Sequence, residues 1–187
     1  MRASGELILG NNPRHNREGK AGRASLPSPS PQPPGGARMS VDQDTCQGLV
    51  LRAVIVESGR SVRVLPYNRH GRLDAFVFED RVGVFIKYST RTESPWRFTF
   101  HIEQVSELLD MEVEYPSAFA VFVCGADGVA TIDLATLHDL VSFRETEQAW
   151  LRIERQPRSL YSIAGNRAEL RSKVPRGVSP IIAALSP

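Results

Sequence analysis

The chain's 187 residues, 41% of them apolar, suffice for one domain with a single core and leave two full domains short of material. The net charge of +2 hides an asymmetry: six of the 23 Lys and Arg and two of the 21 Asp and Glu fall in residues 1–38, leaving 17 basic against 19 acidic side chains after them. That balance excludes a polyanionic partner held by the overall field and restricts one to local basic patches.

No run of 18 apolar residues occurs, and MRASGELILG lacks the apolar stretch and small-residue cleavage site of a signal peptide, so a soluble, cytoplasmic protein with no membrane contact is expected. Cys46 and Cys124 lie far apart in apolar surroundings without metal-ligand spacing, which reads as two small thiols in a reducing compartment.

In chain order, residues 1–38 end in LPSPSPQPPGGAR, where five prolines in eight positions forbid helix and favour extended, solvated chain. This tail is expected to be disordered, as a spacer or as a basic arm on nucleic acid. A first helix begins near Asp44 or Thr45, carries Cys46, Leu49, Val50, Ala53 and Val56 on one apolar face, and stops at Gly59. Ser61 to Leu65 alternates as a strand that Pro66 ends, and RHGR at 69–72 loops into the next segment.

Residues 73–79 and 82–88 are rich in Val, Ile, Phe and Tyr on either side of Asp80 and Arg81, the pattern of a β-hairpin. With a two-residue turn, Glu79 faces Val82 and Asp74 falls directly opposite Lys87 on one face. A basic and aromatic loop follows, with Arg91, Trp96 and Arg97. Such groups grip phosphates and stack bases, although a Trp in that place also serves to pin a loop to the core.

His101 to Met111 reads as a second helix, with Ile102, Val105, Leu108 and Leu109 on one face. Ala118 to Cys124 suits a strand buried on both faces, ATID continues as a short strand, and Leu134 to Val141 makes a third helix. Residues 146–187 read as a β-rich extension on a 39–145 core. WLRIER, SLYSIAG and AELRSKV form a meander whose Arg171 and Lys173 contribute to a basic bias, and SPIIAALSP reads as either a docked helical turn or a sticky tail.

Helix, strand, hairpin, helix, strand, helix, with an acid at the start of the second strand and a lysine near the end of the third, resembles the PD-(D/E)xK nuclease superfamily. The resemblance covers about residues 44–141 and rests on VLPYNRHGRLDAFVF, which supplies Asp74, on GVFIKYS, which supplies Lys87, and on the PWRFTF before the next helix. It implies a restriction-endonuclease-like three-layer α/β (α+β) core with a mixed central sheet, followed by the small C-terminal β-meander. It further implies Asp74 as a Mg²⁺ ligand, Lys87 as the cation that positions water or phosphate, and DNA or RNA as partner. The metal would activate a water and neutralise charge on the phosphate.

The chain departs from that pattern at Phe85, two residues before Lys87, where the family carries an acid or amide and where a phenyl ring ligates nothing. Glu57, Glu79 and Glu103 are the candidate replacement acids. Glu57 stands first, because the first helix flanks the site in the enzymes this domain resembles, and strand parity turns Glu79 to the other face. The expected function is therefore a degenerate member that binds nucleic acid or serves in protein assembly. An active Mg²⁺-dependent endonuclease with a migrated acid, and an unrelated small α+β interaction domain, are the alternatives. Four dispersed histidines and the absence of HExxH, CxxC, GxSxG and GxGxxG patterns speak against zinc, serine-hydrolase and nucleotide chemistry.

Overall fold

The computed structural model describes residues 41–71, 73–144 and 148–186, so the expectation for residues 1–38 lies outside the described residues. Residues 39–187 form one compact unit. Among the described residues there are four α-helices, α1 (Val41–Ser58), α2 (Ile102–Glu114), α3 (Leu134–Leu140) and α4 (Ser179–Leu185). The eight strands are β1 (Val64–Tyr67), β2 (Ala75–Phe78), β3 (Val82–Tyr88), β4 (Trp96–Thr99), β5 (Ser117–Val123), β6 (Val129–Asp133), β7 (Trp150–Glu154) and β8 (Ser162–Gly165). The fold is α+β. A mixed sheet of order β1-β2-β3-β5-β6 is joined by a second sheet of order β4-β7-β8.

The larger sheet is antiparallel except where β3 and β5 run parallel, their crossover carrying β4 and α2. Because β3 and β5 are central, both faces are covered, and VGVFIKY and SAFAVFV are accordingly almost continuous apolar runs. On one face Val82, Val84, Ile86, Val121 and Val123 pack with Val50 and Val54 of α1 and Ile181 and Leu185 of α4. On the other, Ala75, Val77, Phe85, Ala120 and Phe122 meet α2, α3 and the inner side of the second sheet. This gives the expected three layers. Of the two readings of the C-terminal segment the docked helix holds, as α4.

Four local expectations are corrected. β1 runs through Pro66, which pairs with Phe76. Proline is admissible there because β1 is an edge strand and its missing N–H removes no bond from a second neighbour.

Helix α1 begins at Val41 and buries Gln47, Val50 and Val54, leaving Leu49 and Val56 exposed. The helix is apolar on most sides, so spacing alone could not select its buried face. Its end is where expected, at Gly59 with φ of 63°, a conformation that costs a β-carbon-bearing residue.

The hairpin turn has three residues rather than two: Phe78 pairs with Val82, with Glu79 and Asp80 both in the left-handed region. The register therefore slips by one, and Asp74 faces Ile86, whose N–H donates to the Asp74 carbonyl at 2.7 Å.

Finally, the loop after β3 ends in a strand, because Trp96–Thr99 pairs with β7. The C-terminal extension is thereby built into the core, and AELRSKV contributes only isolated bridges such as Ala164↔Glu169 and Tyr161↔Val174.

Candidate functional site

Asp74 is the residue immediately before β2, and it is 5% exposed. Two glutamines hold its carboxylate. Gln43 of α1 donates its amide to Oδ1 at 2.8 Å, and Gln104 of α2 donates to Oδ2 at 2.9 Å. A third, Gln47, donates to the Leu73 carbonyl one residue upstream. Both helices are thus fastened to the strand end by amides.

Lys87 leaves β3 on the α2 side, the same side as Phe85. Its Nζ donates to Gln104 Oε1 at 2.7 Å and lies 5.3 Å from the centre of the Phe100 ring. Gln104 Oε1 also accepts the His101 N–H at 3.3 Å. Those two donors fix which end of the amide faces Asp74, so Gln104 bridges Lys87 and Asp74 in one orientation. Gln104 thus touches both the lysine and the acid.

These groups form the floor of a cleft of about 360 Å³. Tyr88, Ser89 and Thr90 line its rim, with Arg91 and Arg97, both exposed, and His101. The lining holds three permanent cations, Lys87, Arg91 and Arg97, against the single carboxylate of Asp74. In a concave site with low-dielectric walls, that imbalance attracts anions.

The loop carrying Arg91 is held at several points. Ser89 N–H donates to the Val123 carbonyl at 3.1 Å, and Arg155 N–H donates to Ser94 Oγ at 3.0 Å. Gly125 lies so close beneath it that a Cβ there would sit 2.8 Å from the Arg91 carbonyl oxygen, and its φ of 57° also favours glycine.

Of the two roles open to Trp96, stacking a base or pinning the loop to the core, it takes the second. It is 2% exposed, its Nε1 donates to the Arg91 carbonyl at 3.1 Å, and its ring meets Tyr161 edge-on at 6.2 Å. Two half-buried aromatics stand here, Tyr88 in the cleft lining and Trp150 beside it, with the Arg97 guanidinium carbon 5.3 Å from the Trp150 ring centre. The signal for Trp150 was in WLRIE, where Leu151 and Ile153 point inward and alternation turns Trp150 and Arg152 outward.

The structure does not bring the remaining expected residues here. Glu57 is exposed near the far end of α1, about 21 Å of helix beyond Gln43. Glu79 accepts bonds from the Arg63 N–H and the Arg60 guanidinium at the hairpin tip, and Glu103 is exposed on the first turn of α2. Arg171 and Lys173 are exposed in the segment that bridges to the β8 side of the second sheet. That segment lies about three strand spacings, or roughly 14 Å, from β4. Lys173 lines a different cavity, with Thr131, Asp133 and Pro180.

The residues present do not fit the Mg²⁺ centre that the resemblance implies. Phe85 is fully buried in the core, Asp74 already accepts two amide N–H groups, and the cleft's basic side chains include the Lys87 ammonium and the Arg91 and Arg97 guanidiniums, which suit an anion. Among the described residues, no three His, Cys, Asp or Glu side chains gather into a group that could hold a metal ion. Glu107, fully buried on α2 three residues beyond Gln104, is not part of the cleft lining.

Gln43, Gln47 and Gln104 carry no carboxylate, so an acid–lysine motif does not single them out. The trace they leave is a polar residue inside a buried stripe, as with Gln104 at helical spacing from Leu108 and Met111. Among the described residues no helix is long and apolar enough to cross a membrane. No protein-family model, curated protein or solved structure matches the chain.

Proposed function

We propose that this protein binds the sugar-phosphate backbone of a nucleic acid in the cleft between α1, α2 and β3, and holds it without hydrolysing it. The observation that carries this reading is the cleft's composition: three cations and several N–H donors around one carboxylate that is itself hydrogen-bonded to glutamine amides. Asp74 serves here as an anchor that orients Gln104, and Gln104 in turn orients Lys87 toward the cleft. Arg91 and Arg97 supply the exposed charges that a phosphate backbone meets first.

The test is fluorescence anisotropy of labelled DNA and RNA oligonucleotides with the full chain over a salt series, beside incubation with Mg²⁺ and Mn²⁺. Binding is expected to weaken linearly with log salt. Arg91→Ala and Arg97→Ala should each weaken it about tenfold and shave about 0.7–0.9 from the slope. Salt-independent binding, or metal-dependent cleavage that disappears in Asp74→Ala, would overturn the proposal.

A further inference from the structure

The outer face of the second sheet continues the cleft. Register places Arg97 directly opposite Arg152, and Thr99 opposite Trp150, on the side away from the core. The inward partners Trp96, Phe98, Leu151 and Ile153 are all at most 2% exposed. Arg97 belongs to both surfaces: its side chain lines the cleft, and its guanidinium carbon lies 5.3 Å from the Trp150 ring centre. Arg152 Nε sits 3.2 Å from Glu154 Oε1 on the same strand, which offsets its charge, whereas Arg97 on the facing strand lines the cleft.

We infer that the Arg97–Trp150 pair is a base-stacking shelf and that the nucleic acid bound by the cleft is single-stranded. The inference rests on the cleft reading above and deepens it. A phosphate seated against Arg91 and Arg97 leaves its own or the adjacent base within reach of the indole and guanidinium, both of which stack on nucleobases. In a duplex the bases are stacked on one another and paired, and only a helix end offers a free face. A single strand offers one at every nucleotide. An Arg shared between a phosphate site and an aromatic ring fits the second arrangement. Trp150 on an exposed sheet face has no comparable use against a duplex backbone.

The experiment compares the full chain with Trp150→Leu and Trp150→Tyr for binding of a labelled single strand and of the matching duplex, with circular dichroism to confirm folding. Leucine keeps bulk in the strand and loses the π-face; tyrosine keeps both. The wild type is expected to prefer the single strand, and Trp150→Leu to lose about tenfold on it while Trp150→Tyr stays near wild type and duplex binding is unchanged in both. Tryptophan emission should fall as unlabelled single strand is added to the wild type, and fall less in Trp150→Tyr. Salt-dependent binding that Arg91→Ala weakens and Trp150→Leu does not would overturn the shelf and leave the cleft reading standing. A wild type that binds neither strand form would overturn both.

Discussion

Asp74 and Asp127 both accept side-chain hydrogen bonds, Asp74 from the amides of Gln43 and Gln104 and Asp127 from a guanidinium and a phenolic hydroxyl. Asp127, in the 3-10 turn Gly125–Asp127, takes the Arg155 guanidinium and the Tyr161 hydroxyl on one oxygen, each at 2.7 Å. Arg155 also covers the Tyr161 ring at 5.4 Å, and Arg176 donates to the Asp127 carbonyl at 3.2 Å. Here cation and carboxylate neutralise each other, and the product is a clasp joining β7, the start of β8 and the C-terminal segment to the turn after β5. Asp74 shares its two oxygens between the amides of Gln43 and Gln104, and the cleft beside it keeps Arg91 and Arg97 exposed.

The contrast separates a carboxylate that holds structure together from one that arranges a surface. The two are also connected, since Tyr161 supports Trp96, Trp96 holds the Arg91 carbonyl, and Gly125 at the head of the Asp127 turn lies against that same carbonyl. The clasp braces the loop that carries the cleft's outermost charge.

Removing the ring at the centre of the clasp should have the largest effect. Tyr161 is fully buried, so Tyr161→Ala leaves a cavity under Trp96 and is expected to cost about 3–5 kcal/mol in denaturant unfolding. Tyr161→Phe keeps the ring and loses the bond to a charged acceptor, for about 1.5–3 kcal/mol. An alanine variant as stable as wild type would break the contrast, because the Asp127 cluster would then brace nothing.

At the other aspartate, Asp74→Asn preserves shape but sets an amide N–H₂ against one of the two glutamine donors. The expected cost is about 1–3 kcal/mol in the same measurement, with nucleic-acid affinity retained within a few-fold. A stable variant that has lost binding would make Asp74 part of the ligand contact and not an anchor.

Alkaline pH probes the clasp's surroundings through Cys124, fully buried at the end of β5. Burial, with the Asp127 charge adding to it, pushes this thiol up from 9.0 to about 12. Between those values the folded chain keeps a proton that the unfolded chain has released, so the stabilisation is complete below pH 9 and is lost as pH rises toward 12. The slope is about 1.4 kcal/mol per pH unit once the unfolded thiol is ionised. Tyr67, Tyr115 and Tyr161 are also raised, from 10.0, and their unfolded phenols begin to ionise in the same range, so the share of Cys124 is read as the difference between wild type and Cys124→Ala from pH 9 to 10. Unfolding midpoints across that window should fall in the wild type and stay flatter in Cys124→Ala; equal slopes would remove Cys124 as the cause.

Much of this arrangement was legible in the sequence because hydrophobic burial writes itself with the period of the element. The central strands 82–88 and 117–123 and the helices after His101 and Asp133 all follow from apolar runs and their punctuation, which left SPIIAALSP open between a docked helix and a tail. The site was legible only in part. Asp74 and Lys87 do reach one cleft, but their pairing depended on a turn length that no spacing fixes. Glu79 and Asp80 adopt left-handed conformations that neither residue type announces, and one added turn residue exchanged Lys87 for Ile86 opposite Asp74. Of the two roles open to Trp96, tertiary packing selected loop-pinning, and it left Trp150 half-buried beside Arg97. β4 was hidden in a loop whose partner strand lies some fifty residues downstream.

The smallest expected effect is the most discriminating for the basic residues. Composition gives Arg171 and Lys173 the same standing as Arg91 and Arg97, since all four are exposed. Topology does not: Arg91 and Arg97 line the cleft, whereas the segment holding Arg171 and Lys173 bridges to the opposite side of the second sheet. At physiological ionic strength a separation of roughly 14 Å exceeds the screening length of about 8 Å, so the distant pair feels a phosphate in the cleft only weakly. The double variant Arg171→Ala/Lys173→Ala is expected to change affinity by less than about twofold at 0.15 M salt, against about tenfold for either cleft arginine. Its effect should grow as salt is lowered and the screening length increases. A tenfold loss at 0.15 M would mean that the bound strand runs across the whole outer face of the second sheet, from the cleft to the C-terminal segment.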